Sequence, residues 1–216
     1  SEPTVQMTFS TNDSPFSGKE GKFVTSTKIN DRLFREIQKD VSLKVERIGA
    51  GEEWIVSGRG ELHLGILIEN MRREGYEFQV ARPKAIIKEI NGEKCEPYEY
   101  AQVDTPNETI GSVIELLGSR GGVLENMESG YTQSRLIYTI PSRGLIGLST
   151  DFMTASKGYG TLSHYFLEYR KIEAINMGNR KLGVLVASQT GMSTAYGIGQ
   201  IEDRGIMFIE PNEEVY

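Results

Sequence analysis

Arg59-Gly60 and Arg143-Gly144 stand 84 residues apart, and each opens a stretch whose apolar residues recur at helical spacing. Leu64, Leu67, Ile68 and Met71 follow the first pair at i, i+3, i+4 and i+7, and Leu145, Leu148 and Phe152 stripe the second. Gly75 and Gly158, 83 residues apart, supply the stops. A fixed period of this kind means one supersecondary unit used twice. Each copy, at roughly 80 residues, is small but large enough to bury a core of its own.

The elements around those helices give the unit its order. Val5-Gln6-Met7-Thr8-Phe9 alternates apolar and polar residues, as a half-buried strand does. A loop rich in Gly, Ser and Lys follows, from Ser14 to Lys22. Ile29, Leu33, Ile37 and Val41 then place one apolar stripe on a helix. Leu43, Val45 and Ile48, and after them Trp54-Ile55-Val56, predict a hairpin around Gly49-Ala50-Gly51. Phe78 and Val80 make the closing strand. Strand, helix, strand, strand, helix, strand is the ferredoxin-like arrangement.

The second copy repeats that order. Ala85 to Ile90 and Tyr98 to Val103 are strand-like. Thr105-Pro106-Asn107-Glu108 has the pattern of a capping box with Pro at the first helical position. Ile110, Val113, Ile114 and Leu117 line one face of the helix it would open, and Gly121-Gly122 ends it. Val123 to Glu128, Ser134 to Pro141 and Thr161 to Tyr169 supply the remaining strands, with a single helix running to about Gly158. The fold class expected is therefore α+β: two tandem ferredoxin-like βαββαβ modules, residues 1–83 and 84–169. Residues 170–216 differ. Gly183 to Ala187 and Ala195 to Gly199 read as short strands, the start of a β-rich domain with further strands expected beyond Tyr216.

Chemistry is scarce. Cys95 is the single cysteine, which excludes an internal disulfide and a thiolate metal cluster and fits a reducing cytoplasm. No signal-peptide pattern and no apolar run of membrane-spanning length occurs. Gly18-Lys19-Glu20-Gly21-Lys22 lacks the spacing of a phosphate-binding loop, so Lys19 and Lys22 are expected in a loop that meets a neighbouring domain. His63 and His164 show no ligand spacing and read as packing or capping residues. Glu61 and Asp151 lie early in helices, where a carboxylate suits the positive end of the dipole. Neither a nucleophile elbow nor a Cys/His pair appears, so no catalytic site is expected.

What remains is a set of basic residues at element ends: Arg59, Arg72, Arg73, Arg82 and Lys84 in the first copy, and Arg120, Arg143 and Lys157 in the second. Guanidinium groups at such positions are equipped for phosphate contacts. Arg143 opposes the dipole of the helix it opens, which points to an outside partner. The net charge of −6 is unevenly shared: residues 1–83 carry 12 basic and 13 acidic side chains, 84–169 carry 7 and 11, and 170–216 carry 5 and 6. The nearly neutral first third leaves room for a basic face.

Longer motifs carry a resemblance. Gly60-Glu61-Leu62-His63-Leu64, Arg72-Arg73-Glu74 and Arg82-Pro83-Lys84 resemble the third domain of the elongation factor G superfamily, and Ile140 to Asp151 resembles its fifth. Ser14 to Lys22, Ile68 to Gly75 and Pro141 to Gly147 are similar to the BipA (TypA) family rather than to elongation factor G or LepA. The glycine-rich stretch from Gly183 to Ile209, with Asp203-Arg204-Gly205, resembles the opening of that family's C-terminal domain. The resemblance implies a cytoplasmic, monomeric, ribosome-binding GTPase. It is linked to ribosome assembly, stress adaptation, growth at low temperature and virulence regulation, and its partners are rRNA, ribosomal proteins and the tRNA acceptor end. GTP and Mg2+ would belong to a domain preceding this chain, which itself would hold no cofactor. Two rival readings are a small-molecule-sensing tandem module and an acylphosphatase-like enzyme.

Overall fold

A computed structural model describes residues 2–11, 19–49 and 51–173, without the side chains of 19–24. The first unit comprises β1 (Val5–Thr11), α1 (Lys19–Lys39), β2 (Lys44–Ile48), β3 (Glu53–Gly58), α2 (Glu61–Arg73) and β4 (Phe78–Val80). Two short strands follow, β5 (Lys84–Ala85) and β6 (Lys88–Ile90). The second unit comprises β7 (Glu93–Pro106), α3 (Ile110–Ser119), β8 (Val123–Ser129), β9 (Gln133–Pro141), α4 (Ser142–Leu145), α5 (Ser149–Ala155) and β10 (Thr161–Lys171).

The two sheets have the same plan. The first is ordered β2-β3-β1-β4 and the second β8-β9-β7-β10, all neighbours antiparallel. Each is a βαββαβ unit of ferredoxin-like topology. Lys84-Ala85 adds to β1 of the first sheet and Lys88–Ile90 to β7 of the second, so the stretch read as one strand divides between the sheets.

Each sheet buries one face under its helices. Phe9, Ile29, Leu33, Trp54, Val56, Leu64 and Met71 close the first core, while Ala101, Val103, Val113, Leu117, Leu136, Tyr138, Leu148 and Phe152 close the second. Each large side chain so buried contributes about 1.5–3 kcal/mol. Trp54 is completely enclosed, and its indole N–H donates to Asn30 Oδ1 at 2.9 Å.

Three helices stop in the same way. After α2 the Gly75 N–H reaches the Arg72 carbonyl and the Tyr76 N–H that of Met71. Gly121 and Gly122 repeat the pattern after α3, on Gly118 and Leu117. After α5, Lys157 and Gly158 repeat it on Thr154 and Met153. This is the Schellman stop, which needs a left-handed residue just past the cap. Gly75 and Gly121 fill that place at φ 103° and 88°, and Lys157 fills it at φ 53° with a full side chain.

Four sequence expectations are corrected. Lys19 and Lys22 lie in the first turn of α1 rather than in a loop. Val41 lies outside α1 and is 91% exposed, because Asp40 ends the helix by accepting from the N–H and hydroxyl of Ser42. No capping box forms at Thr105: β7 pairs with β9 as far as Pro106, and a 3-10 turn (Asn107–Thr109) intervenes before α3. Thr105 Oγ1 instead meets Thr109 Oγ1 at 2.7 Å. The fourth helix is two short ones, α4 and α5, parted by an extended residue at Ile146. The β-rich stretch expected over 170–216 lies, from residue 174 on, outside the described residues.

Candidate nucleic-acid interface

Arg72 and Arg73 close α2, and Arg82 and Lys84 flank Pro83 just after β4; all four are exposed. The Arg72 guanidinium lies over the Phe78 ring at 5.1 Å and donates to the Phe78 carbonyl at 3.2 Å. Arg73 donates to Asn70 Oδ1 at 3.2 Å. In the second unit Lys157 is exposed at the stop of α5. Among the described residues, Arg72, Arg73, Lys84 and Lys157 form no ion pair, so their charges face outward unneutralised.

Arg120 and Arg143 are different: the structure turns both inward around α4. Arg120 Nη1 donates to the carbonyls of Gly144 at 3.0 Å and Ile146 at 2.8 Å, and Nη2 to that of Gly147 at 3.2 Å. Asp151 balances its charge from 3.5 Å. These carbonyls accept from the guanidinium, and Ile146 is extended. The apolar stripe from Leu145 to Phe152 breaks at this turn into α4 and α5. Gly144 is required here, since a Cβ would stand 2.3 Å from the Arg120 carbonyl oxygen.

Arg143 donates from Nε to Glu96 Oε1 at 2.7 Å and from Nη2 to Oε2 at 3.3 Å. Glu96 is buried, so this pair accounts for the arginine at a helix start. An internal carboxylate thus meets the charge that the dipole conflict at this helix start assigned to an outside partner.

Arg59 sits where β3 hands over to α2, and its backbone N–H donates to His63 Nδ1 at 3.0 Å. With Nδ1 accepting, Nε2 carries the proton and donates to Asp40 Oδ2 at 2.5 Å. Burial lowers the His63 pKa, and the nearby Arg59 charge lowers it further, against the pull of Asp40. Burial alone would raise the Asp40 pKa; hydrogen bonds from Ser42 and His63 outweigh it and bring the value to about 2. His63 is thus a neutral cap tying α2 to the end of α1.

The two units meet between α2 and α4. Glu61 Oε1 accepts the Gly147 N–H at 2.7 Å across 86 residues of sequence. Ile146 packs against the first core although it belongs to the second unit. Behind them Glu99, almost fully buried, accepts from the Ser142 hydroxyl at 2.5 Å through Oε2 and meets His164 Nδ1 at 2.6 Å through Oε1. Val5, Gly60, Leu62, Leu145 and Leu162 complete the lining of the small cleft there. The Glu61 and Glu99 contacts bring together elements far apart in sequence, so local patterning gave no signal for either. The carboxylate lies between serine and histidine and binds both, as a bracket. Among the described residues no cluster of three or more His, Cys, Asp and Glu side chains is arranged to hold a metal ion. No described helix is long and apolar enough to cross a membrane.

Known proteins resemble every part of the chain. The family model for elongation factor G domain III matches residues 22–82, that for the elongation factor G C-terminus matches 93–178, and that for the TypA/BipA C-terminal domain matches 182–216. A protein of Bacillus subtilis called large ribosomal subunit assembly factor BipA is 56% identical over the whole chain, and its namesake from Synechocystis is 51% identical. A Salmonella typhimurium protein of the same name is 49% identical. The chain covers 35–36% of those proteins' lengths. A crystal structure of a Thermus thermophilus protein shares the fold, with a TM-score of 0.52 at 15% identity over 83% of this chain and 42% of that one.

Proposed function

Since this chain belongs to the BipA (TypA) family of the elongation factor G superfamily, we propose that it is the ribosome-docking part of a GTP-dependent ribosome-assembly factor. Residues 1–83 and 84–169 act as two docking modules that contact rRNA and ribosomal protein, and 170–216 begins a C-terminal domain directed at the tRNA acceptor end. The protein works in the cytoplasm as a monomer. GTP and Mg2+ act in a preceding domain and reach this chain as a shift in population toward the arrangement that fits the ribosome.

The observation that carries this reading is the set of outward cations at element ends, with Arg72, Arg73, Lys84 and Lys157 free of internal ion pairs among the described residues. A phosphate surface supplies the counter-charge such groups lack, and Arg forks suit phosphate oxygens. Arg59 and Arg82 are secondary contacts; Arg120 and Arg143 act through the fold.

The test is co-sedimentation with purified ribosomes of the complete protein, with a non-hydrolysable GTP analogue and with GDP. Wild type is compared with Arg72→Glu/Arg73→Glu, Arg82→Glu/Lys84→Glu and Lys157→Glu. Loss of binding in these variants, with a salt dependence shallower than wild type, is the expected result. Full retention by all three would remove the cationic ends from the interface, and absence of wild-type binding with either nucleotide would remove the ribosome.

A further inference from the structure

The turn at 144–147 is held from two sides by two different units. From its own side, Arg120 gathers the carbonyls of Gly144, Ile146 and Gly147. From the other, Glu61 at the start of α2 takes the Gly147 N–H at 2.7 Å. Between those grips the Ile146 side chain leaves its own core, lined by Leu145 and Leu148, and packs against the core of the first unit.

The construction is asymmetric. The three Arg120 bonds stay within the second unit. Beside those bonds, the turn presents the Gly147 N–H to Glu61 of the first unit. An N–H in a part-buried place leaves a polar group unsatisfied if its acceptor is withdrawn. The turn is therefore a shaped plug with one apolar tip and one polar prong, and α2 is its socket. The equivalent place in the first unit is the Arg59-Gly60 entry to α2, which is the socket side. One repeated element has become plug in one copy and socket in the other.

We propose that this plug makes the two modules one thermodynamic unit, with Glu61 as the residue on which their coupling depends. Contacts made on the surface of either module are then felt by the other through the 144–147 turn. The inference concerns the chain itself and stands or falls independently of ribosome binding.

The single tryptophan makes the test direct. Trp54 lies wholly inside the first core, so its fluorescence reports unfolding of that module alone. Leu136→Ala opens a cavity in the second core, where Leu136 is completely buried. Urea unfolding of the 216-residue chain is followed by Trp54 emission and by far-ultraviolet circular dichroism, with and without Leu136→Ala, in wild type and in the Glu61→Ala/Ile146→Ser background. In wild type, Leu136→Ala is expected to lower the Trp54 midpoint together with the dichroism midpoint. In the double-variant background the Trp54 midpoint no longer follows, and the two probes separate. Should the double variant fail to fold, Glu61→Ala alone is read the same way, with Glu61→Gln, which keeps an acceptor oxygen, expected to retain the coupling. A Trp54 midpoint indifferent to Leu136→Ala in wild type overturns the proposal. So does one that follows Leu136→Ala equally in every background.

Discussion

The Arg143 guanidinium donates to both carboxylate oxygens of Glu96, at 2.7 and 3.3 Å, joining the start of α4 to β7 across 47 residues. Glu96 is 4% exposed, while about a quarter of the Arg143 side chain still meets solvent. Removing one partner of such a pair leaves a charge without compensation in a poorly solvated place. Arg143→Glu is therefore expected to destabilise the fold by about 3–4 kcal/mol, the lower part of the range for buried pairs because of that partial exposure. Equilibrium denaturation measures it, and a loss below about 0.5 kcal/mol, the scale of a surface pair, would return Arg143 to the surface contacts.

Lys157 holds left-handed backbone at φ 53°, where Gly75 and Gly121 do the same task at equivalent helix stops. An L side chain costs about 1–2 kcal/mol in that conformation, partly offset by the entropy glycine loses on folding. Lys157→Gly is expected to raise stability by about 0.5–1 kcal/mol while weakening ribosome association, because it removes the outward charge. Stabilisation with unchanged association would assign Lys157 to the surface alone.

Sequence patterning reaches as far as local periodicity does. The paired stripes of α2 and of Leu145 to Phe152, the strand alternation at Val5 to Phe9 and the glycine stops at Gly75 and Gly121 were legible, because each depends on neighbours within one or two turns; after α5 the left-handed place expected of Gly158 falls to Lys157. The bracket of Ser142, Glu99 and His164 was not, because its members come from three elements separated by 43 and 65 residues. The break between α4 and α5 was hidden likewise, since the Arg120 bonds that brace it come from 24 to 27 residues away. Arg143 shows the hazard of a purely local argument: its conflict with the helix dipole was real, and the compensating charge lay on another strand.

Acid should weaken the first module through His63. Its pKa is lowered from 6.5 in the fold, so on falling pH the unfolded chain binds the proton first. The His63 contribution is complete above pH 6.5 and declines as pH falls below that value. Asp40, depressed from 3.8 to about 2, follows in the same direction at lower pH, its contribution lost between those two values. The Trp54 urea midpoint is expected to drop between about pH 7.5 and 5.5, with a shallower slope in His63→Gln. Identical slopes in the two proteins would exclude His63 as the source.

Arg120→Lys keeps the charge and loses the fork that reaches three carbonyls. An ammonium cannot span Gly144, Ile146 and Gly147 from one position. A loss of about 1–3 kcal/mol is expected, in the range for carbonyls left short of a partner. Hydrogen exchange should quicken at the Gly147 amide, whose placement against Glu61 depends on the turn. Unaltered exchange there would mean the turn holds its shape without Arg120.

Cys95 near the start of β7 stands opposite Lys171 at the end of β10, and the Ile172 N–H reaches the Lys94 carbonyl at 3.0 Å. The second module thus takes the polypeptide in and returns it at the same spot, like a loop tied off a rope. A tension pulled between Cys95 and Lys171 would bear first on that rung and open β7 from β10 in succession, as a zip opens. Force led along the backbone would peel this module, whereas force led through the body of the protein would load the 144–147 turn among the contacts that join the units.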